Sequence, residues 1–494
     1  MPLTKHDLVK DLQALGLKNG DIILVHSSLA SIGRVEGGAE TVCESLIEAC
    51  GPDGTVCMPT MGGERPWHVE KSQSGLGIIT ETFRQRSDTI RSIHPTHSAA
   101  ACGPKAEELL NEHYKAPTAC GEGTPYGRLI EFGGKVILLG CDQDRNTTLH
   151  PLEDYAALPY LSTNIPGEFY DETGELRKIT LLRYPGPHRD FIGLDRLMRE
   201  RGVLTIGKVG SAVTRVMDAK GMHDVVLEAM REDPAVVLCD NPNCADCVWQ
   251  RGKIKEKRLA NEEDFILMAS TDIMGETIEE IVISCRAEGV KQVEVSSVGG
   301  TDVLDLSSAK QKELKEALSK FEISVEAVRS VEAPGEIDSL AEAANRLDAK
   351  TVHVPLSEEL IQRALDWQGS DLNFLFENRQ HTPDECAEQV EPIRGGQGGL
   401  AFNPANFAKK GHHPFLNVYY TRRNRLGIRQ LIVADATNSG QPILPGMGSG
   451  EVKELISILR CRSFPGTISL RGPLPEGVTF REYARAFWVL LDTM

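Results

Sequence analysis

A histidine and a glutamate three residues apart are the first groups that could do chemistry. They lie in NTTLHPLEDYA, residues 146–156, after the apolar run KVILLG. Because proline favours the first turn of a helix, Pro151 predicts a helix that starts near His150, with Glu153 one turn along. The carboxylate has two interpretations. It orients the imidazole and stabilises its protonated form, as a general base requires, or it completes a capping box.

Two other segments carry groups that suit an anionic ligand. VHSSLASIGRVEGGAETV, residues 25–42, follows a predicted strand, and its glycines let backbone N–H groups approach a phosphate or a pantetheine amide. RSIHPTHSAAACG, residues 91–103, collects arginine, serine and histidine side chains that can bind a diphosphate. The alternatives are a plain strand-to-helix turn for the first segment and packed, hydrogen-bonded histidines for the second.

A cysteine cluster offers a third type of chemistry. Cys239, Cys244 and Cys247 have the spacing C-x4-C-x2-C, and the last pair has the separation common in tetrahedral zinc sites. Only these three ligands are evident, so His223 or an unidentified neighbour would have to be the fourth. The alternative is a set of reduced thiols packed at a domain edge. The sequence therefore assigns no metal ligand.

The elements that must position these groups form an α/β pattern in the first half. Helical periodicity alternates with short β-rich runs, including DIILVHSSL, GTVCMPT and KVILLG. The pattern is interrupted over residues 236–262 by the cysteine cluster and by the charged stretch QRGKIKEKRLANEED, which has the composition of a linker. We therefore expect one domain over residues 1–250 and another over 263–494.

The second half contains eight β-like runs separated by mostly helical segments. They are DFILMAS, KQVEVSS, ISVEAV, TVHVP, NFLFEN, GLAFN, QLIVADA and GTISLR. This alternation favours a (β/α)8-like barrel after the N-terminal α/β domain, and a doubly wound sheet is the alternative.

Composition excludes several classes of function. The 494 residues carry a formal net charge of −17, which argues against a nucleic-acid partner. No apolar run reaches membrane-spanning length, and the start MPLTKHDLVKDLQALGL lacks the apolar core of a signal peptide. Twelve cysteines at this length are typical of reduced thiols. We expect a cytoplasmic protein that binds small molecules and no membrane, and a homo-oligomer is left open.

Five segments taken together resemble the aminoglycoside 3-N-acetyltransferase family. In order they are VHSSLASIGRVEGGAETV, GPDGTVCMPT, RSIHPTHSAAACG, GEGTPYGRLIEFGGKVILLG and NTTLHPLED. The resemblance implies an N-terminal acyltransferase domain that uses acetyl-CoA as co-substrate and transfers the acetyl group directly to an amine of an aminoglycoside or a related amino-sugar compound. Antibiotic resistance is one expectation that follows from it.

The resemblance also implies roles for individual residues. His150 matches the general base of the family's LHxxE motif, and Glu153 is its orienting partner. Thr148 is a local candidate for stabilising the developing oxyanion. The residues implied for CoA binding are Ser27, Ser28, Ile32, Gly33, Val35, Arg91, Ser92, His97 and Ser98. Packing is the favoured role of Cys57, Cys102 and Cys141, because their contexts are apolar or lie at strand ends.

The acceptor side departs from the family pattern. The stretch between Met58 and Arg91 is shorter than the corresponding region of the resistance enzymes, so the acceptor pocket is expected to differ. Candidate pocket residues are Glu64, Trp67, His68, His188, Arg189 and Asp190, each of which is alternatively a solvated loop residue.

The second half resembles sugar-phosphate isomerase/epimerase barrels through NFLFENR, GLAFNPANFA, IVADA and PGMGSGEVKELISIL. Such enzymes hold a divalent metal at the carboxyl ends of strands. Glu377 fits the first ligand position, whereas Asn403, Ile432 and Arg471 replace the other expected ligands. We infer that the metal chemistry is lost, although His353 or His381 could restore a ligand.

Two alternative functions follow from this combination of domains. One is a metal-dependent sugar isomerase/epimerase with a fused CoA-binding regulatory domain. The other is a protein that binds CoA without turnover. A barrel without metal chemistry would bind a sugar or polyol, or serve as a scaffold or oligomerisation surface.

Overall fold

The computed structural model describes residues 2–171, 173–182, 188–367, 370–393, 398–419 and 427–494. The chain divides into two compact units, Met1–Cys247 and Val248–Met494. None of the described helices combines the length and apolar character that crossing a membrane requires.

The first unit is built around a mixed sheet. Its strands are β1 (Ile22–Ser27), β2 (Thr55–Pro59), β3 (Trp67–His68), β4 (Ile90–Arg91), β5 (Ala99–Cys102), β6 (Lys135–Leu139), β7 (Ile165–Tyr170), β8 (Leu176–Leu181), β9 (Leu204–Val209) and β10 (Ala212–Asp218). Seven of them form a sheet in the order β4-β5-β2-β1-β6-β10-β9, and β3, β7 and β8 form a smaller sheet. Strand β1 pairs in parallel with β2 and β6, which places it at the centre.

Helices flank this sheet. They are α1 (Lys5–Ala14), α2 (Leu29–Ile32), α3 (Gly38–Cys50), α4 (Ile78–Arg84), α5 (Ala106–Leu110), α6 (Pro125–Glu131), α7 (His150–Tyr155), α8 (Leu194–Glu200) and α9 (Ala219–Glu232). Helix α1 begins at a capping box between Thr4 and Asp7 and buries Leu8 and Leu12. In β1, Ile23 is fully buried, as expected for a central strand covered on both faces.

The second unit contains a closed barrel of parallel strands. The strands of this unit are β11 (Ile266–Ser270), β12 (Gln292–Val295), β13 (Ser297–Val298), β14 (Thr301–Asp302), β15 (Ser324–Val328), β16 (Thr351–Pro355), β17 (Asn373–Glu377), β18 (Gly398–Phe402), β19 (Ile428–Val433), β20 (Asp435–Ala436), β21 (Pro442–Ile443) and β22 (Thr467–Leu470). The barrel order is β11-β12-β15-β16-β17-β18-β19-β22, and β11 pairs with β22 to close it. The eight β-like runs of the sequence are these eight strands, and closure excludes an open doubly wound sheet.

Helices alternate with the barrel strands along the chain. After α10 (Ala245–Glu262), which contains the division between the units, they are α11 (Ile278–Glu288), α12 (Ser308–Ser319), α13 (Ile337–Leu347), α14 (Glu358–Leu365), α15 (Pro383–Val390), α16 (Pro404–Ala408), α17 (Val452–Arg460) and α18 (Phe480–Asp492). Buried helix residues such as Leu340 and Leu455 join strand residues such as Val293 in one apolar cluster. This cluster is the core of the second unit.

The charged stretch expected to be a linker is instead helical, because it lies within α10. Leu259 packs against the apolar cluster of the second unit, while Lys255 and Arg258 form ion pairs with Glu288 and Asp492. The charges that suggested a solvated linker therefore have partners in the second unit. The close approach of this helix depends on Gly252, where an added Cβ would lie 1.6 Å from the carbonyl oxygen of Arg286.

We predict that Gly252→Ala destabilises the second unit, although alanine is the better helix former. The methyl group would overlap backbone that has no flexible end to move, and overpacking of this kind costs about 1–3 kcal/mol. Hydrogen exchange measured by mass spectrometry should become faster over residues 249–262. Gly335→Ala is the control, since its Cβ would meet nothing within 4 Å. Unchanged exchange in Gly252→Ala would contradict the predicted overlap.

Candidate active site

His150 is the first residue of α7, and local hydrogen bonds fix the turn that leads to it. Two 3-10 turns, Gln143–Arg145 and Thr147–Leu149, connect β6 to this helix. The Asn146 side chain accepts a hydrogen bond from the Thr148 backbone N–H at 3.1 Å and donates one to the Gln143 side chain at 2.9 Å. This bonded turn places the imidazole beyond the end of a central strand.

The Glu153 carboxylate contacts the imidazole of His150. Its Oε2 lies 2.6 Å from His150 Nδ1. The N-cap residue of α7 is Leu149 and not His150, and the Leu149 side chain makes no capping hydrogen bond. Of the two interpretations left open by the spacing, the structure therefore has the one in which the carboxylate bonds the imidazole.

Glu153 also contacts a cation, the guanidinium of Arg189. The Nε of Arg189 donates a hydrogen bond to Glu153 Oε1, so each carboxylate oxygen has its own partner. The guanidinium also stacks over the ring of Tyr160, 4.8 Å from the centroid. Burial acts to raise the pKa of Glu153, but the hydrogen bond to His150 and the charge of Arg189 outweigh it, so the pKa lies below its usual value. The carboxylate is ionised at neutral pH.

An ionised carboxylate can only accept hydrogen bonds, and this decides the tautomer of the neutral imidazole. His150 Nδ1 must carry the proton that is shared with Glu153, so Nε2 carries the free lone pair. Glu153 is fully buried, whereas the His150 side chain keeps 21% of its surface exposed. His150 can therefore accept a proton at Nε2 from a bound molecule.

Apart from the Glu153 carboxylate, the groups near His150 include one aromatic ring and two uncharged imidazoles. The ring of Phe191 meets the imidazole edge-on, with centroids 5.1 Å apart. His26 and His97 are buried, and burial together with the nearby His150 lowers the pKa of each to about 3. Both remain neutral at physiological pH, so His150 has no charged histidine beside it. His26 lies in the VHSS segment and was not singled out from the sequence.

A cavity of about 270 Å³ lies next to these residues and includes two of the predicted CoA contacts. Ser27 and Ser28 line it, together with His26, Cys141 and Arg145. In the part of the chain that the structure describes, buried polar atoms without a hydrogen-bond partner include His26 Nε2, Ser27 Oγ and Thr148 Oγ1. Of these residues, His26 and Ser27 line the cavity, and their unused polar atoms fit a polar ligand such as the thioester end of acetyl-CoA.

The next part of the glycine-rich segment shapes the turn. Ile32 is fully buried. Gly33 has a φ of +102°, a conformation that favours glycine. Val35 pairs with Leu3 through an isolated parallel bridge. The structure therefore gives Ile32 and Val35 local packing roles, and their contact with CoA stays a prediction.

The predicted diphosphate cluster is engaged within the protein. Arg91 donates hydrogen bonds to Thr60 Oγ1 and to the carbonyl oxygens of Thr60, Val69 and Ser72. Its guanidinium is therefore committed to protein acceptors, which argues against the diphosphate contact proposed for it. A phosphate could reach Arg91 only if these bonds were broken.

The hydroxyls of this cluster are committed in the same way. Ser92 Oγ is hydrogen-bonded to His113 Nδ1 and accepts the backbone N–H of Ala99. Ser98 Oγ donates to the Thr60 carbonyl at 3.0 Å. Both side chains are buried, and His97 is 8% exposed. The alternative of packed, hydrogen-bonded side chains describes this segment well.

The residues suggested for the acceptor pocket make separate contacts within the protein. Trp67 is fully buried, with the Arg91 guanidinium 4.8 Å from its ring centroid. His68 packs against Tyr170 with centroids 5.9 Å apart, and Glu64 is exposed. Arg189 binds Glu153, a role that the sequence did not indicate because the two residues are 36 positions apart.

The cysteines near the motifs have the properties of packed thiols. Burial raises the pKa of Cys57 to about 12, and burial and nearby acidic groups raise that of Cys141 to about 12. The pKa of Cys102 is also raised by burial and by Asp88. A thiol with a raised pKa forms little nucleophilic thiolate near pH 7, so these residues are poor candidates for a covalent intermediate.

In the second unit, an arginine contacts Glu377, the residue that fits the first ligand position of the resembled barrels. Arg471 follows β22 and hydrogen-bonds both Glu294 and Glu377, the second at 3.4 Å. His353 contacts Glu294 and Arg471. Burial acts to raise the pKa of Glu294, but the charges of Arg471 and Arg329 and the contact with the His353 imidazole keep it well below its usual value. The guanidinium thus occupies the space between the carboxylates.

The other residues considered at this end of the barrel also have contacts within the protein. Asn403 donates to Glu377 Oε1 at 2.7 Å. Ile432 lies in a small cluster of buried alanines. His353, named from the sequence as a possible replacement ligand, is bonded to protein partners, and His381 is absent from the contacts of Glu377 and Glu294 among the described residues. This arrangement does not resemble an oxygen-rich metal site.

Comparison with known proteins gives matches over the first unit. A family model described as aminoglycoside 3-N-acetyltransferase matches residues 24–231. Aminoglycoside N(3)-acetyltransferase IV from Salmonella is 32% identical over 239 residues, covering 47% of this chain and 90% of that protein. The SPbeta prophage-derived aminoglycoside N(3')-acetyltransferase-like protein YokD of Bacillus subtilis is 36% identical over 185 residues, covering 32% of this chain and 67% of that protein.

Solved structures are also similar. The apoenzyme of aminoglycoside acetyltransferase AAC(3)-IVa is 31% identical, covers 50% of this chain and 96% of its own, and has a TM-score of 0.46. The identity to the Salmonella enzyme extends over nearly all of that enzyme's length, and the matched region contains the bonded pair His150 and Glu153. The chain therefore belongs to the aminoglycoside 3-N-acetyltransferase family of acetyl-CoA-dependent acyltransferases.

Proposed function

We propose that the first unit transfers the acetyl group of acetyl-CoA to an amine of an aminoglycoside or related amino-sugar compound, with His150 as general base. The observation that carries this proposal is the chain of contacts from Arg189 through Glu153 to His150 Nδ1, which leaves Nε2 available at a partly exposed ring. We assign this activity to residues 1–250.

The transfer is a direct displacement. The amine nitrogen of the acceptor forms a bond to the thioester carbonyl carbon and loses a proton to His150 Nε2. The carbon–sulfur bond breaks, and the CoA sulfur leaves with its electron pair and takes up a proton. The products are an amide and free CoA, and no enzyme group is acylated. A base held within hydrogen-bond reach assists because the attacking nitrogen becomes acidic as the new bond forms.

Glu153 supports this step in two ways. It keeps the imidazole in the tautomer with a free Nε2, and its charge stabilises the imidazolium that forms after proton transfer. Arg189 neutralises the buried carboxylate before the reaction, which makes an ionised group tolerable at full burial.

The negative charge that develops on the thioester carbonyl oxygen needs a hydrogen-bond donor to stabilise it. Thr148 Oγ1 and Ser27 Oγ are buried hydroxyls whose partners are lacking among the described residues. We assign Thr148 as the local donor because it precedes His150 by two positions on the bonded turn. Ser27 and Ser28 line the cavity proposed for the pantetheine end of CoA.

We propose that the second unit is a (β/α)8 barrel over residues 263–494 that has lost metal-dependent isomerase chemistry. The position of Arg471 between Glu294 and Glu377 supports this view, because a guanidinium supplies the positive charge that a divalent ion would otherwise provide. The same contacts speak against a metal-dependent sugar isomerase as the activity of the chain.

We predict that His150→Ala lowers kcat for amine-dependent CoA release by roughly a hundred- to ten-thousand-fold, the usual contribution of a general base. The KM for acetyl-CoA should change little. CoA is best separated by chromatography, because an exposed thiol of the chain such as Cys461 would also react with thiol reagents.

The matched control is His223→Ala, a histidine on α9 that contacts Asp224 and Tyr155. It should retain wild-type turnover. Equal turnover in His150→Ala and wild type would remove the general-base assignment, and a wild type that never releases CoA with any amine of an aminoglycoside panel would remove the proposed activity.

Glu153→Gln tests the tautomer argument. The amide can donate a hydrogen bond to His150 Nδ1, which would leave the proton on Nε2 and block its function as a base. We expect a fall in kcat at pH 7 of at least about tenfold, with the KM for acetyl-CoA nearly unchanged. A rise in KM at constant kcat would instead indicate a role in binding.

The buried charges of the barrel give a stability prediction. Glu294→Gln would leave Arg471, Arg329 and His353 without their shared carboxylate, and breaking a buried ion pair costs about 3–5 kcal/mol. Because the pKa of Glu294 lies below its usual value, this stabilisation is present at neutral pH and is lost only as the pH falls through that lowered pKa. Denaturation, monitored by hydrogen exchange in β12 and β16, measures the change in the free energy of unfolding. The control is Glu322→Gln. Glu322 is exposed and pairs with Lys291, so this variant should have the same free energy of unfolding as the wild type.

A further inference from the structure

The three cysteines of the C-x4-C-x2-C segment meet a histidine from a distant part of the chain. One potential ligand atom from each of His188, Cys239, Cys244 and Cys247 lies within 4.8 Å of the others. His188 Nδ1 is 3.4 Å from Cys247 Sγ and 3.5 Å from Cys244 Sγ. His223, the fourth ligand considered from the sequence, instead contacts Asp224 and Tyr155.

These separations match those of a tetrahedral metal site. With metal–nitrogen and metal–sulfur bonds near 2.05 and 2.3 Å, tetrahedral geometry puts the nitrogen and sulfur atoms about 3.6 Å apart. The two nitrogen–sulfur distances fit that value. Three thiolates and one imidazole are soft and borderline ligands that favour Zn²⁺ over Mg²⁺ or Ca²⁺. Four protein ligands close the coordination sphere, as in structural rather than catalytic zinc sites.

The neighbouring backbone supports such a site. Cys244 directly precedes α10 and Cys247 lies in its first turn, so the start of this helix carries two of the four ligands. The Asp246 carboxylate accepts the backbone N–H of His188 at 3.2 Å, which fixes the histidine backbone from a second direction. Residues 233–244 form no helix or strand. A metal would join this irregular segment to the segment that carries His188.

We propose that His188, Cys239, Cys244 and Cys247 bind one structural Zn²⁺. Zinc binding releases the thiol protons to solvent and involves no oxidation. The site fixes the backbone of His188, and the next residue is Arg189, which holds Glu153. The metal would therefore position the group that orients His150. This consequence for catalysis rests on the proposed function, whereas the metal site does not.

The direct test is metal analysis of the full chain purified without chelator. We expect about one zinc per chain in the wild type. His188→Ala and Cys244→Ser should lose it, while His223→Ala and Cys461→Ser should keep it. Cys461 is an exposed free thiol in the second unit. Clearly substoichiometric zinc in wild type, or full zinc in His188→Ala, overturns the site.

Cobalt substitution in the wild type keeps the test independent of how the variants fold. Co²⁺ bound by three thiolates and one imidazole gives intense sulfur-to-metal charge-transfer bands and the visible bands of tetrahedral coordination. A spectrum typical of octahedral cobalt, or of cobalt in free solution, contradicts the site. Trapping of the cysteines as a disulfide, detected by mass spectrometry of freshly purified protein, also contradicts it.

A separate measurement tests whether the zinc site positions Arg189. Removing zinc with a chelator should lower kcat by roughly ten- to a hundredfold, as expected when a group that sets the reacting geometry is displaced. The KM for acetyl-CoA should stay within about twofold. Readdition of Zn²⁺ should restore kcat. Stoichiometric zinc whose removal leaves kcat unchanged keeps the metal site and removes the positioning role. Absence of any acetyl transfer in wild type would contradict the proposed function without affecting the zinc result.

Discussion

The buried carboxylate of Glu153 is the group on which the candidate site depends. An ionised carboxylate at full burial is unfavourable unless opposite charges and hydrogen bonds compensate it. Here each oxygen has one cationic or proton-donating partner, Arg189 on one side and His150 on the other. The same contacts that make the buried charge tolerable also fix the imidazole and its tautomer. Stability and the proposed chemistry therefore impose the same requirement on this residue.

The barrel also contains buried carboxylates, and there an arginine compensates their charge. Glu294 and Glu377 are buried at one end of the barrel, and Arg471 lies between them. Two carboxylates on either side of one position could hold a divalent ion, but here the Arg471 guanidinium neutralises them. His353 and Arg329 complete the network around Glu294. The buried carboxylates at this end of the barrel are thus neutralised by the protein's own cations, and a cavity of about 280 Å³ remains beside Arg471 and Glu377.

The structure agrees with two expectations that were based on local sequence patterns. The eight β-like runs became the eight barrel strands, and the His150 helix begins where Pro151 predicts. The charged segment before the barrel was misjudged, because composition cannot tell whether charges face solvent or partners. Lys255 and Arg258 find carboxylates in the second unit, so a linker-like composition forms a packed helix. Arg91 is a related case, since a residue type suited to phosphate is used on backbone carbonyls.

The sequence by itself determined the elements and the pairs that are close along the chain. The spacing of His150 and Glu153, the C-x4-C-x2-C pattern and the strand periodicity are local, because backbone geometry places residues three or four apart on one helix face and residues two apart on one strand face. Only the tertiary structure decided which distant groups join them. Arg189 lies 36 positions from Glu153, and Arg471 lies 177 positions from Glu294. His188 replaces His223 beside the cysteines for the same reason. Such pairings depend on the path of the whole chain through packed layers, and no local pattern encodes that path.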